Sequence, residues 1–175
     1  LLQFHSSIRK ATFYILFSAV LKGPLYAQSA NSGYPKTTGY ISFVNPVGSL
    51  DKNGGSFNFT HSYSGGFPCG INILKSDRSG FSFEVTPFIN VSGKKSKMSN
   101  FLFHPGVMFR YPKGFTFIAR MAFETAGRYG VTAVFNKVVV RTKMNNFFVA
   151  VPVPVRFGND KPPSIGLSVQ AGITF

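Results

Sequence analysis

The chain has 175 residues, enough for one domain without demanding two. Only 14% of them are charged, 19 Lys and Arg outnumber 5 Asp and Glu for a formal +14, and 21 are Phe while none is Trp. So little charge with so many aromatic rings excludes a disordered chain, and the single cysteine, Cys69, excludes an internal disulfide framework.

In chain order, Arg9 and Lys10 precede the apolar run ATFYILFSAVL, Ala11 to Leu21, which gives way to LYAQSA. Charge, apolar core and small residues in that order are those of a secretory signal peptide over residues 1–27. The run falls short of the roughly 20 apolar residues a membrane-spanning helix needs. Cleavage is expected after Ala27, although Leu25 is larger than usual at the preceding small-residue position. What remains carries 16 basic and 5 acidic residues, a balance of +11. Residues 28–53, rich in Ser, Asn, Gly, Pro and Thr, read as an extended lead-in, with TGYISFV, Thr38 to Val44, a candidate short strand.

From Gly54 onward the apolar period is two rather than 3.6. Strands are predicted over 54–63, 67–74, 79–91, 99–111, 114–126, 129–141, 146–157 and 164–175. SGG, KSDRS, SGKKSKMS, PKG, GR, TKMNN and GNDKPP punctuate them as turns. The expected fold is all-β: an eight-stranded antiparallel up-and-down transmembrane β-barrel over 54–175. HPG at 104–106 suggests a bulge in its fourth strand.

Each predicted strand has an apolar side. SFNFTHSY aligns Phe57, Phe59, His61 and Tyr63, and FLFHPGVMFRY aligns Phe101, Phe103, Val107, Phe109 and Tyr111. FFVAVPVPVRF aligns Phe147, Val149, Val151, Val153, Val155 and Phe157 against Ala150, Pro152, Pro154 and Arg156. A soluble sheet would turn such a side inward and carry many Lys and Glu on the other. Here the other side is mostly Gly, Ser, Thr, Ala and Asn, while Lys gathers in the turns. That distribution suits strands whose apolar side chains face lipid and whose closure leaves no unpaired edge in hydrocarbon. Tyr63, Tyr111 and Tyr129 stand at predicted strand ends, where an interfacial girdle would lie.

The final stretch, SIGLSVQAGITF, alternates Ile165, Leu167, Val169, Ala171, Ile173 and Phe175 with small or polar residues. Together with the export signal it resembles the small outer-membrane β-barrel proteins of Gram-negative bacteria. The resemblance implies that Leu167, Val169, Ala171, Ile173 and Phe175 form the signal read by the barrel-assembly machinery, and that the protein resides in the outer membrane. With Phe175 at the periplasmic end, turns 75–78, 112–113 and 142–145 are expected to be periplasmic, and loops 64–66, 92–98, 127–128 and 158–163 to face outward. Such short outer loops depart from the long extracellular loops of that group.

Alternation places Glu84, Arg110, Arg120, Glu124 and Arg156 inside. An eight-stranded barrel is just wide enough for side chains to fill it, so these residues are expected to form a packed polar network, structural or lining a narrow anion-preferring path. Lys94, Lys95 and Lys97 on the outer loop 92–98 are candidates to meet lipopolysaccharide phosphates. In VPVPV, Val151 to Val155, two prolines two residues apart lack donors toward the same neighbouring strand, which predicts a weakened seam. Cys69 is expected to be buried or inert. His61 is placed on the lipid side or at its interface, and His104 inside. Neither belongs to a recognisable nucleophile–base–acid spacing, so no catalytic role is expected, and one Cys with two His beyond the signal region makes no metal set. The basic residues lie scattered through turns, without the basic, aromatic-stacked face of a nucleic-acid binder. The sequence thus reads as an integral outer-membrane barrel without cofactor, structural or a narrow path for small solutes. Its rivals are a secreted soluble β-barrel holding an apolar ligand and a lipid-modifying barrel enzyme.

Overall fold

The computed structural model describes residues 33–60 and 62–175; the predicted signal peptide and His61 lie outside them. It contains ten antiparallel strands and one 3-10 turn, Pro112–Gly114. The strands are β1 (Lys36–Asp51), β2 (Gly54–Phe57), β3 (Tyr63–Gly66), β4 (Cys69–Leu74), β5 (Ser79–Ser92), β6 (Lys95–Tyr111), β7 (Phe115–Glu124), β8 (Tyr129–Arg141), β9 (Asn146–Phe157) and β10 (Ser164–Thr174). From β5 to β10 each strand pairs with the next, and β10 returns to β1, from Tyr40↔Thr174 to Asp51↔Ser164. The ring is closed.

The strand count therefore differs from the expected eight, for two physical reasons. The presumed lead-in holds the sixteen-residue β1, whose Ser, Gly and Pro mask a period-two pattern carried by Tyr40, Ser42 and Val44. The return path beside β1 is also broken into three. β2 pairs with Gly48–Asp51, β3 touches β1 at Val44↔Gly66, and β4 pairs with Lys36–Ile41. Between β2 and β3 the chain leaves the strands, at residues 58–60 and 62. Asn58 pins that excursion, donating from Nδ2 to Ser64 O at 2.8 Å and accepting from Ser64 N at 2.8 Å. Phe59 is therefore not part of a strand face, and 64–66, expected as a loop, is β3.

Turns 75–78, 112–114 and 142–145 lie at the end of the ring where β10 finishes, here the Phe175 end. The β1–β2 turn, the β5–β6 turn, residues 125–128 and residues 158–163 lie at the far end. The expected loop 92–98 is almost absent. β5 and β6 run on to Ser92↔Lys95, and Gly93, with φ 58°, starts the two-residue turn. A register shift opposite Ser99 puts Lys95 and Lys97 beside Ser92 and Asn90, with Lys94 in the turn. The expected bulge at HPG is not there: His104, Pro105 and Gly106 pair in unbroken register with Glu84, Phe83 and Ser82. Pro105 instead interrupts the other side, where no pair with β7 is made between Phe103↔Phe123 and Gly106↔Arg120.

The phenylalanines point outward. Phe81, Phe83, Phe101, Phe103, Phe109, Phe123, Phe135 and Phe147 are all exposed, as are Val149, Leu167 and Val169. Cross-strand neighbours pack along this outer side, with Phe117 and Phe135 rings 5.4 Å apart and Tyr129 and Phe157 6.2 Å apart. Cys69 also faces outward and is exposed, so of the two expectations for it, buried or inert, the first does not hold. The alternate residues are buried within the ring. Toward the Phe175 end they form an apolar cluster of Tyr40, Leu74, Met108, Ile118, Val134, Phe148 and Ala150. This cluster is a departure from the all-polar filling read from the sequence; Phe148 faces inward beside outward Phe147 and meets Tyr40 edge to face at 6.1 Å.

Candidate functional site: a charged network across the ring

Next to the apolar cluster, charged side chains from β5, β6, β7 and β9 meet. Glu84 of β5 is its centre, 4% exposed. Its Oε2 accepts from Arg120 Nη1 at 2.7 Å and from Tyr40 OH at 2.8 Å. Its Oε1 takes Thr86 Oγ1 at 3.2 Å and lies 3.1 Å from His104 Nδ1. Arg120 of β7 also donates from Nη2 to Tyr40 OH and to Ser82 Oγ, each at 2.9 Å. Arg120 can cross the interior because Gly106 is its pair in β6. A Cβ at Gly106 would lie 2.4 Å from Ala119 O and 2.6 Å from Arg120 Cγ, so any side chain there collides with the ladder.

A second pair lies toward the far end. Arg156 Nε donates to Glu124 Oε1 at 2.7 Å, and Asn100 Nδ2 holds Glu124 Oε2 at 2.9 Å. Arg156 Nη1 donates to Thr132 Oγ1 at 3.0 Å, and Nη2 lies 3.3 Å from His104 Nε2. A guanidinium only donates, so His104 Nε2 accepts there, and the ring proton sits on Nδ1, facing Glu84. His104 thereby joins the two ion pairs into one connected network. Charges removed from water in this way hold only while each keeps its partners.

Of the predicted interior residues, Glu84, Arg120, Glu124 and Arg156 are brought together. Arg110 is not. It is half-buried and lines a 710 Å³ vestibule at the Phe175 end with Asp77, Arg78, Lys113 and Arg141. At that rim Tyr34 donates to Asp77, and this bond to a carboxylate pushes the Tyr34 phenol above its ordinary value. A second vestibule of 480 Å³ at the far end is lined by Arg128, Arg156, Glu124, Ser164 and Ser168. Between the two, voids of only about 50 and 30 Å³ remain beside the network, each room for one or two waters. Sequence reading missed Tyr40, Ser82 and Thr132 as members; hydroxyls on the inward parity of adjacent strands were the available signal.

Glu84, His104 and Thr132 also fall in the order of acid, imidazole and hydroxyl that activates a nucleophile. Thr132 is 2% exposed, and a void of about 50 Å³ lies beside it. Among the described residues no group of three His, Cys, Asp or Glu gathers that would hold a metal ion.

The predicted seam is present. β9 pairs with β8 through both prolines, at Val134↔Pro152 and Thr132↔Pro154. Toward β10 the pairing stops after Ile165↔Val155 and resumes at Gln170↔Ala150. Leu167, Val169, Ala171, Ile173 and Phe175 occupy the outer side of β10, with Phe175 exchanging backbone bonds with Gly39 at 2.9 Å in each direction. No protein-family model and no curated protein matches the chain. Among solved structures, one described as "De novo design of transmembrane beta-barrels" aligns over 82% of this chain and 98% of its own, at 11% identity and a TM-score of 0.47.

Proposed function

We propose that the chain is an integral outer-membrane β-barrel whose interior is a narrow, closed path for small solutes, working without cofactor or catalytic step. The observation that carries this reading is the division of sides: most rings and branched aliphatics lie outside, while paired charges and hydroxyls lie inside beside one apolar cluster. Water outside would leave a continuous apolar band far larger than soluble monomers expose; hydrocarbon outside suits it. A soluble barrel holding an apolar ligand needs the phenylalanines to converge, and they do not. Lys137, an outward lysine, supports the same reading. Its ammonium bends toward the turn at the Phe175 end and donates to Lys113 O at 2.6 Å, as a lysine at a membrane boundary does.

The path reading rests on the two vestibules and on the charged network that, with the apolar cluster, separates them. Arg78, Arg110, Lys113 and Arg141 against Asp77 give the wider mouth a positive field, so small anions are the preferred solutes. In this reading Lys94, Lys95 and Lys97 meet lipopolysaccharide phosphates at the far end, and the outer side of β10 serves the assembly machinery. Planar-bilayer recording tests it. The native chain is expected to conduct rarely, and the double variant Glu84→Ala, Arg120→Ala to conduct steadily with anion preference. Silence of both would leave a structural barrel.

A second reading, a lipid-modifying barrel enzyme, rests on the Glu84–His104–Thr132 order alone. Unchanged lipid A composition in cells carrying His104→Ala would remove it.

A further inference from the structure

One stretch of the wall is thinner and less bonded than the rest. Ser168 of β10 lies between prolines on both sides, and Gly166 has a proline on its β9 side and Ser49 on its β1 side. On one side β1 offers Pro46 opposite Ser168, with a register shift between Pro46 and Gly48. On the other, the register flanking the gap in β9 sets Pro154 beside Gly166 and Pro152 beside Ser168. None of these prolines has an N–H to give. Gly166 has no side chain to seal the wall, and a Cβ there would sit 3.0 Å from Pro154 Cγ and 3.4 Å from Gly48 O.

A cavity lies on each face of this stretch. The inner one is the 480 Å³ far-end vestibule. The outer one is an apolar groove of 350 Å³ with Val47, Leu50, Phe57, Val153, Ile165 and Leu167 along it. Gly48, Ser49, Ser56, Phe57 and Gly166 line both. The inner cavity also contains a cation with spare capacity. Arg128 forms no ion pair among the described residues, its Nε is buried without a partner, and only its Nη2 is used, toward Arg156 O, Pro162 O and Ser164 Oγ.

From these facts we infer that the wall at Gly48 and Gly166 is a lateral portal for a single-chain anionic amphiphile. Its head lies in the vestibule against Arg128, and its acyl tail passes through the unpaired stretch between β10 and β9, beside Gly166, into the outer groove. Charge selects the head, because Arg128 lacks a carboxylate of its own. The wall selects one tail, because pairing between β10 and β9 is missing only over the short stretch between Ile165↔Val155 and Gln170↔Ala150. The inference rests on the barrel reading above and names its solute class and its route of entry.

The test uses the full chain inserted in phosphatidylcholine vesicles and lysophosphatidic acid carrying a diazirine near the tail end. Adducts are mapped by mass spectrometry. They are expected to concentrate on the groove residues Phe57, Val153 and Leu167, to be competed by unlabelled lysophosphatidic acid and not by lysophosphatidylcholine. Arg128→Gln should lower the anionic-to-neutral labelling ratio about tenfold, the loss of one charge-assisted bond. Gly166→Val should block labelling at unchanged strand content by circular dichroism; if that variant misfolds, Arg128→Gln, which leaves the wall intact, decides. Adducts spread evenly around the outer side, or a ratio indifferent to Arg128, would overturn the portal while leaving the barrel standing. A chain that stays in water sinks both.

Discussion

Glu84 is the residue on which the interior depends. It is the acceptor for Arg120, Tyr40 and Thr86 and faces His104. Glu84→Gln strands the Arg120 guanidinium in a buried site, and a broken buried pair costs about 3–5 kcal/mol. Arg120→Met alone should cost a similar amount. The two changes together should cost clearly less than their sum, because the second removes the charge the first exposed. Urea unfolding of vesicle-inserted protein measures all three; strict additivity would show that the two side chains do not depend on each other. Glu84, Arg120, Glu124 and Arg156 were readable before any coordinates because each falls on the polar parity of a clean strand. Tyr40 was not. It is an aromatic residue in a segment of Ser, Gly and Thr, and only closure of the ring brings its hydroxyl to Glu84. Arg110 shares the parity of Arg120 but stands at the mouth, so parity fixes the side of a residue and not its depth.

At the scale of the strand, prolines set local strength. Pro152 and Pro154 keep β9 paired to β8 and release it from β10. Restoring the donors with Pro152→Val and Pro154→Val should slow amide exchange at Gly166–Val169 by roughly one to two orders of magnitude, as ~1 kcal/mol is recovered per bond. Exchange as slow in the native chain as in the variant would mean the seam is not weak. The strands β7 to β10 were legible nearly to the residue, since phenylalanine and valine alternate there with small residues between sharp turns. β4 was legible as the strand expected over 67–74; β2 and β3 were not legible as separate pieces. SGG and FPCG around them are rich in glycine and proline, and what breaks the strand is Asn58 bonding across to Ser64, a contact between residues six apart. The lysine-bearing hairpin was misjudged for a related reason: KKSK has the composition of a loop, yet both strands continue through it with their backbone bonds intact.

For the molecule as a whole, the outer side decides the solvent. Val151 is exposed midway along β9. Val151→Arg should destabilise the vesicle-inserted protein by about 2–4 kcal/mol if that position is near the bilayer midplane. In water an exposed valine tolerates arginine within about 0.5 kcal/mol, so a neutral result argues for an aqueous surround. That the rings face out could be argued from the scarcity of lysine and glutamate on the opposite parity; that the middle is half apolar could not, because Leu74, Met108 and Ile118 look like breaks in alternation until seen packed together. Finally, the pairing of Tyr40 with Thr174 joins the earliest strand to the latest. During synthesis every intermediate length presents two unsatisfied borders ready to bind another chain, and sequence-distant pairings are slow to form. Until β10 is made and pairs with β1, the hazard of such a polypeptide is sticking to its own copies.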